Sequence, residues 1–228
     1  ENDFHSFNLA RQRSIKKLND ILEELIGRGF TNSDSEHWLL FSAISCSERK
    51  ASRILEIGTA DGTTTAILAL LFPESEIVSI DLPRTDNEFK NSYNRKNVVN
   101  QVVENRNNLL NKFENITFIE TNSVKLFNWA EKSFDIIWID GAHGYPVLPL
   151  DLNNAIRLIR ENGVVIVDDV FIRLRKTDKM YRSTAAIETL KLFKENKLIT
   201  NFTLFRKRLS LHYNFKDLNE KFLGFIQC

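Results

Sequence analysis

Five carboxylates fall where short apolar runs stop, and a histidine follows one of them. Glu56 ends RILE, Asp81 ends IVSID, Asp140 ends FDIIWID, and Asp168 with Asp169 ends VVIVDD. His143 comes three residues after Asp140, in Asp-Gly-Ala-His-Gly-Tyr. If these runs are parallel strands, their last residues share the rim of the sheet on which open α/β folds bind ligands. Carboxylates there can accept hydrogen bonds from hydroxyls and attract cationic ligands. Asp140, Asp168 and Asp169 make a hard-oxygen set of the kind that holds Mg²⁺, Mn²⁺ or Ca²⁺. His143, with an unperturbed imidazole pKa near 6.5, is a candidate general base. On residue types alone the plainer readings stay open: acidic strand ends that cap helices or meet a cationic cofactor, and a histidine that only hydrogen-bonds its own loop.

The first run continues as Glu56-Ile57-Gly58-Thr59-Ala60-Asp61-Gly62-Thr63-Thr64-Thr65. Gly58 and Gly62 permit a tight turn and a close approach of backbone to ligand. A dinucleotide fingerprint needs G-x-G-x-x-G, but Ala60 replaces its second glycine and Thr63 its third. A Walker loop needs a lysine, and none is present. Glu56 and Asp61 would repel a pyrophosphate, yet they suit S-adenosylmethionine (SAM), which carries an ammonium and a sulfonium. The Thr63, Thr64 and Thr65 hydroxyls and the helix N-terminal N–H groups are placed for its carboxylate. Asp81 is placed for both ribose hydroxyls.

The elements that must position these residues follow from periodicity. Ile54 to Ile57, Ile77 to Asp81, Ile116 to Glu120, Phe134 to Asp140 and Val164 to Asp168 alternate with helical stretches, the pattern of a parallel sheet wrapped by helices. Helices are expected over Thr64 to Phe72, over a stretch carrying Val98, Val99, Val102, Val103, Leu109, Leu110 and Phe113, over Leu150 to Arg160 stopped by Asn162 and Gly163, and over Ser183 to Glu195. Ile199 to Phe205 and Phe222 to Gln227 read as a closing hairpin, and the polar stretch Pro83 to Lys96 as a mobile flap. Two helices precede the sheet. Ile15, Leu18, Leu22, Leu25 and Ile26 form the stripe of the first, ended by Gly27 and Gly29, and Ser33 with Glu36 makes a capping box for the second. One domain is expected, with residues 1–50 a helical N-terminal cap and 51–228 the core.

LEIGTADGTTT followed by IVSIDL resembles the first two motifs of class I SAM-dependent methyltransferases. DIIWIDGAHGYPVLPLDL and NGVVIVDDV are similar to one branch of them, the small bacterial O-methyltransferases that include macrocin-type sugar methyltransferases and, more distantly, the catechol and caffeoyl-CoA enzymes. The resemblance spans Arg53 to Phe171 and implies a Rossmann-like α/β fold, a mostly parallel seven-stranded sheet flanked by helices with its last strand antiparallel. It implies that Glu56, Gly58, Ala60, Gly62, Thr63, Thr64 and Asp140 line the SAM pocket, that Asp81 holds the ribose, and that Asn122 and Ser123 border the adenine. It also implies a divalent cation on Asp140, Asp168 and Asp169 that chelates two neighbouring acceptor oxygens and lowers a hydroxyl pKa. Many relatives have an acidic residue at the position of Ala142, so the role of base passes to His143, to metal-promoted ionisation, or to a different acceptor chemistry. The expected reaction is methyl transfer to an oxygen of a small molecule such as a sugar, a diol or a natural-product intermediate. A metal-free N- or O-methyltransferase and a non-catalytic SAM-binding module are the rivals, with a nicotinamide-linked oxidoreductase well behind.

Composition narrows the partners. A formal net charge of +1 lacks the general attraction that drives nucleic-acid binding, so Arg173, Arg175, Lys176, Lys179 and Arg182, and Arg206, Lys207 and Arg208, read as solvated faces or a basic lid over an anionic small substrate. The longest apolar stretch, Ala66 to Phe72, cannot span a bilayer, and with no signal-peptide run the expected location is the cytoplasm. Cys46 and Cys228 are no disulfide framework. His5, His37 and His212 read as surface residues, Tyr93, Phe171 and Tyr181 as candidate pocket walls, and the chain as a possible homodimer.

Overall fold

The computed structural model describes residues 11–31, 33–174, 183–207 and 221–228. Its centre is one sheet of β1 (Arg53–Ile57), β2 (Glu76–Asp81), β3 (Ile116–Glu120), β4 (Phe134–Ile139), β5 (Ile159–Phe171), β6 (Phe202–Arg206) and β7 (Lys221–Gln227). The order is β3-β2-β1-β4-β5-β7-β6, with β7 antiparallel to both neighbours and the pairings from β3 through β5 parallel. The chain winds outward from β1 to β3 and then crosses to β4, so the switch point lies between the ends of β1 and β4, where such folds open a ligand crevice.

The strands are apolar on both faces because both are covered. One face presents Ile54, Ile136, Trp138, Val164 and Ile166 to α1 (Arg11–Ile26), α2 (Glu36–Ser45) and α3 (Thr63–Leu71). The other presents Leu55, Ile57, Ile137, Ile139, Val165 and Val167 to α6 (Val147–Leu158) and α7 (Ala185–Glu195). The first two helices share the core of the sheet: Leu18, Leu22, Leu40 and Phe41 are buried in it, and the Ser42 hydroxyl donates to the Ser14 carbonyl at 2.7 Å. Ile26, expected on the buried stripe, is 42% exposed.

Several local expectations change. No capping box forms at Ser33: α2 starts at Glu36 with Ser35 as its N-cap, and the Thr31 to Asp34 turn is tied instead by the Asp34 carboxylate, which accepts from Thr31 and Arg28. The helix α6 ends at Leu158, before Asn162 and Gly163, because Ile159 turns extended (ψ 140°) and pairs with Phe134 at the head of β5. The stretch expected as a flap is built: α4 (Asn87–Asn91), capped by the Asp86 side chain, leads into a 3₁₀ turn over Ser92–Asn97, and Phe89 is its buried anchor. After it, α5 (Val99–Leu110) buries Val103 and Leu110, whereas Val98 is exposed outside it. No described helix is long and apolar enough to cross a membrane.

Candidate functional site

The turn between β1 and α3 is shaped by contacts that only glycine allows. Gly58 has φ +100°, its N–H donates to the Ile80 carbonyl at 2.9 Å, and an added Cβ would lie 2.3 Å from the Asp140 carbonyl oxygen. The Asp140 N–H donates to the Ile57 carbonyl at 2.8 Å, so the ends of β1 and β4 lie against each other here. Gly62, at φ +83°, is the N-cap of α3 and packs on Leu110 of α5. Ala60 takes φ +51°, and the Asp61 side chain accepts from the Thr63 N–H at 2.9 Å.

Asp81 closes over this turn from β2. Its carboxylate accepts from the Ala60 N–H at 2.9 Å and the Leu82 N–H at 2.7 Å, one bond to each oxygen. A carboxylate has about four acceptor positions, so capacity remains for two hydroxyls. Burial raises the Asp81 pKa, while the two N–H donors and the nearby Arg95 and Arg106 pull it back. Arg106 had no sequence signal beyond its place in a helix. It is fully buried, with its guanidinium 4.1 Å from the centre of the Phe118 ring, and it pairs with Glu120 at 3.2 Å. Its Nη1 has no hydrogen bond in the described structure, so buried positive charge backs the Asp81 side of the site.

Glu56 and Thr64 are placed differently from the expectation that they line the pocket. Glu56 lies fully buried under the turn, where one oxygen accepts from the Thr65 hydroxyl and from the Ser79 hydroxyl at 2.5 Å, and the other has no partner in the described structure. Burial pushes its pKa up to about 8, so at neutral pH it is a protonated strut rather than a charge that meets a cationic cofactor. The Thr64 hydroxyl is engaged by the first helices: Trp38 Nε1 lies 3.1 Å and His37 Nε2 3.3 Å from it. Thr63 is half-buried at the start of α3. On the far side, Asn122 and Ser123 are half-buried beyond β3, and Asn122 accepts from the Val124 N–H at 3.0 Å.

The structure does bring Asp140, His143, Asp168 and Asp169 to one rim. His143 is buried, with Nε2 3.7 Å from Asp140 Oδ1, and burial lowers its pKa, keeping the ring neutral. Burial and repulsion from Asp168 raise Asp140 well above the ordinary carboxylate range. Asp168 and Asp169 fall where the β5–β7 register shifts between Val167 and Val170, and Asp169 takes φ +51° there. Lys207 Nζ is 2.5 Å from Asp168 and 3.1 Å from Asp169, and Lys221 Nζ is 2.5 Å from Asp169. Burial alone would raise Asp168, but the Lys207 charge holds it far below the usual range, and the same contact keeps Lys207 protonated. Asp168 and Asp169 therefore do not fit the divalent-cation site expected of them, because two ammonium groups already neutralise the pair and hold one oxygen of each. Among the described residues, no group of three or more His, Cys, Asp and Glu side chains is arranged to hold a metal ion.

Two further buried groups were not visible in the sequence. His37, expected at the surface, is only 6% exposed, stands 4.7 Å from the Trp138 ring, and is pulled by burial down to about 3. It hydrogen-bonds Ser35 at 2.7 Å, and it feels the charges of Asp168, Lys207 and Lys221. Asp151 on α6 is fully buried near the Gly141 backbone without a well-formed hydrogen bond, and burial pushes it up to about 7 with Ser123 pulling the other way. Of the expected pocket walls, Phe171 is buried under Lys221, whereas Tyr181 and the Tyr93 side chain lie outside the described residues, as do Arg175, Lys176, Lys179, Arg182, Arg208, His5 and His212.

Comparison with known proteins agrees with this architecture. The profile of a family described as a methyltransferase domain matches residues 55–170, from the first strand through the Asp168-Asp169 pair. No curated protein sequence matches. Among solved structures, the O-methyltransferase TomG from Streptomyces achromogenes, involved in tomaymycin synthesis and determined with SAM, superposes with a TM-score of 0.55 at 18% identity, over 99% of this chain and 94% of that one. The N-methyltransferase NodS from Bradyrhizobium japonicum WM9 gives 0.56 at 16% identity over 84% and 94%. A cofactor-bound protein from MTB gives 0.54 at 23% identity over 83% and 77%. With the matched family covering half of the chain, and with the glycine turn, the Asp81 clamp and the sheet order in place, this protein belongs to the methyltransferase-domain family and is a class I SAM-dependent methyltransferase.

Proposed function

We propose that the protein methylates a hydroxyl oxygen of a small molecule. The observation that carries this reading is the neutral imidazole of His143, buried beside Asp140 at the switch point. A hydroxyl is a weak nucleophile until its proton has an acceptor, whereas an uncharged amine attacks through its own lone pair, so a placed base favours oxygen over nitrogen. Solved structures of similar fold include enzymes of both kinds, and they do not separate the two.

SAM, when bound, supplies a methyl group on a positively charged sulfur. Asp81 would hold the ribose through the lone pairs left over from Ala60 and Leu82. The N–H groups at the start of α3 and the Thr63 hydroxyl would take the amino-acid carboxylate. Asn122 and Ser123 would border the adenine. His143 would accept the hydroxyl proton as the oxygen attacks the methyl in line and S-adenosylhomocysteine leaves, and the Asp168 and Asp169 charges would favour the imidazolium so formed. Holding the oxygen opposite the sulfur would supply much of the rate.

Calorimetry with S-adenosylhomocysteine, and mass spectrometry of products from SAM with panels of sugars, phenols, diols and amines, test this reading. The expected result is cofactor binding and O-methyl ethers. Methylated amines alone would replace it by the nitrogen reading, and binding without turnover on any acceptor would favour a non-catalytic module.

A further inference from the structure

Lys207 follows the last residue of β6, and its backbone N–H donates to the Lys221 carbonyl at 3.0 Å where β6 and β7 part. Both lysines are thus pinned in the sheet beside the β5 irregularity rather than carried on a loop. The Lys207 side chain keeps only 8% of its exposure, and those of Asp168 and Asp169 only 7% and 12%. From this geometry we infer that Lys207 is a built-in cation, standing where a divalent ion would bridge Asp168 and Asp169 and presenting its positive charge to the acceptor oxygen.

At the oxygens that Lys207 holds, an ammonium and a divalent ion compete for one position. Oxygen ligands sit about 2.0–2.6 Å from Mg²⁺ or Ca²⁺, and Nζ already lies 2.5 Å from the Asp168 oxygen. Two ammonium groups, Lys207 and Lys221, face two carboxylates, so an arriving divalent ion meets a neutralised pair instead of a doubly negative one. Displacing a buried ammonium would leave it unpaired in a poor solvent for charge, which is strongly unfavourable.

The consequence for the substrate rests on the oxygen reading above. An ammonium has three N–H donors. Two go to Asp168 and Asp169, and the third has no partner in the described structure. A chelating metal grips two neighbouring oxygens of the acceptor, whereas one N–H holds a single oxygen. The acceptor class that fits is therefore one hydroxyl with no required second oxygen beside it.

Mn²⁺ binding, read by electron paramagnetic resonance on the full chain, tests the substitution without needing an acceptor. Wild type and Lys207→Arg should take up no Mn²⁺. Lys207→Met should gain a site at least about tenfold tighter than the weakest binding the titration can detect, and adding Asp168→Asn should remove it. One Mn²⁺ on wild type, lost in Asp168→Asn, would overturn the inference, as would a folded Lys207→Met that gains none. If Lys207→Met fails to fold by circular dichroism, the wild-type and Lys207→Arg titrations decide. S-adenosylhomocysteine binding measured on the same samples separates the outcomes: its absence counts against the methyl-transfer reading, while Mn²⁺ uptake by wild type counts against the lysine.

Discussion

Three glycines allow the cost of a close approach to be separated from the cost of a backbone conformation. Gly58 and Gly27 both have positive φ, +100° and +71°, yet an added Cβ at Gly27 meets nothing within 4 Å, while at Gly58 it meets the Asp140 carbonyl at 2.3 Å. Gly141 lacks the positive φ, and its nearest neighbour is an Ile57 methyl at 3.4 Å. Gly27→Ala should therefore lose only the conformational term, about 1–2 kcal/mol. Gly58→Ala should lose that and a further roughly 1–3 kcal/mol, because the β4 end must move by more than an ordinary side-chain adjustment. Gly141→Ala should stay within about 1 kcal/mol of wild type. At roughly 2–4 °C per kcal/mol for a domain of this size, Gly58→Ala melts about 10 °C low and Gly27→Ala only about 4 °C low. Differential scanning calorimetry reads these shifts, and calorimetric titration below the transition should find S-adenosylhomocysteine affinity lost in Gly58→Ala alone, since its turn and the Asp140 backbone share the contact. If Gly58→Ala melts with Gly27→Ala and binds normally, the abutment of β1 and β4 does not shape the cofactor turn.

Removing the carboxylate in Asp81→Ala should weaken S-adenosylhomocysteine binding by about 100-fold or more, as expected for two lost hydrogen bonds to a charged group, and unchanged binding by calorimetry would place the ribose elsewhere. Glu56 holds its proton up to about pH 8 in the folded chain, whereas an ordinary glutamate releases it near pH 4.5. The folded state thus binds the extra proton across that window, and stability should fall as pH rises from 5 to 8. Urea unfolding of Glu56→Gln should show a flatter slope over this range, and an equal slope would assign the effect to Asp151 or other groups. For His143→Gln, turnover should drop by roughly 10²–10⁴-fold with cofactor affinity nearly intact, and the wild-type rate should depend on a group titrating below the ordinary imidazole value, because burial lowers His143. Finally, His37→Ala should loosen the packing on Trp138 and leave the Thr64 hydroxyl to Trp38 alone, lowering stability by about 1–3 kcal/mol in chemical denaturation; an unchanged midpoint would make the buried ring incidental.

Local information was enough for the elements and their order. Runs such as Ile136 to Ile139 and Val164 to Val167 are apolar at every position, which only a sheet covered on both faces tolerates, and each is followed by a helix-period stretch; the hairpin of β6 and β7 was legible in the same way. The glycine turn and Asp81 were legible because positive φ and close approach demand particular residue types at particular spacings. Asp140, His143, Asp168 and Asp169 converge because strand ends of a parallel sheet must share a rim. What each of these groups carries as charge was decided elsewhere. Glu56 is an acid by type, but burial against Ser79 and Thr65 keeps its proton. His37 had no motif, and it is internal because α2 packs over Trp138. Asp168 and Asp169 suited a metal until β6, some forty residues later in the chain, delivered Lys207 between them. Sequence patterns specify which residues reach the rim, since backbone periodicity is local. Protonation and ion pairing depend on desolvation and on charges a few ångströms away in space, so only the tertiary fold sets them.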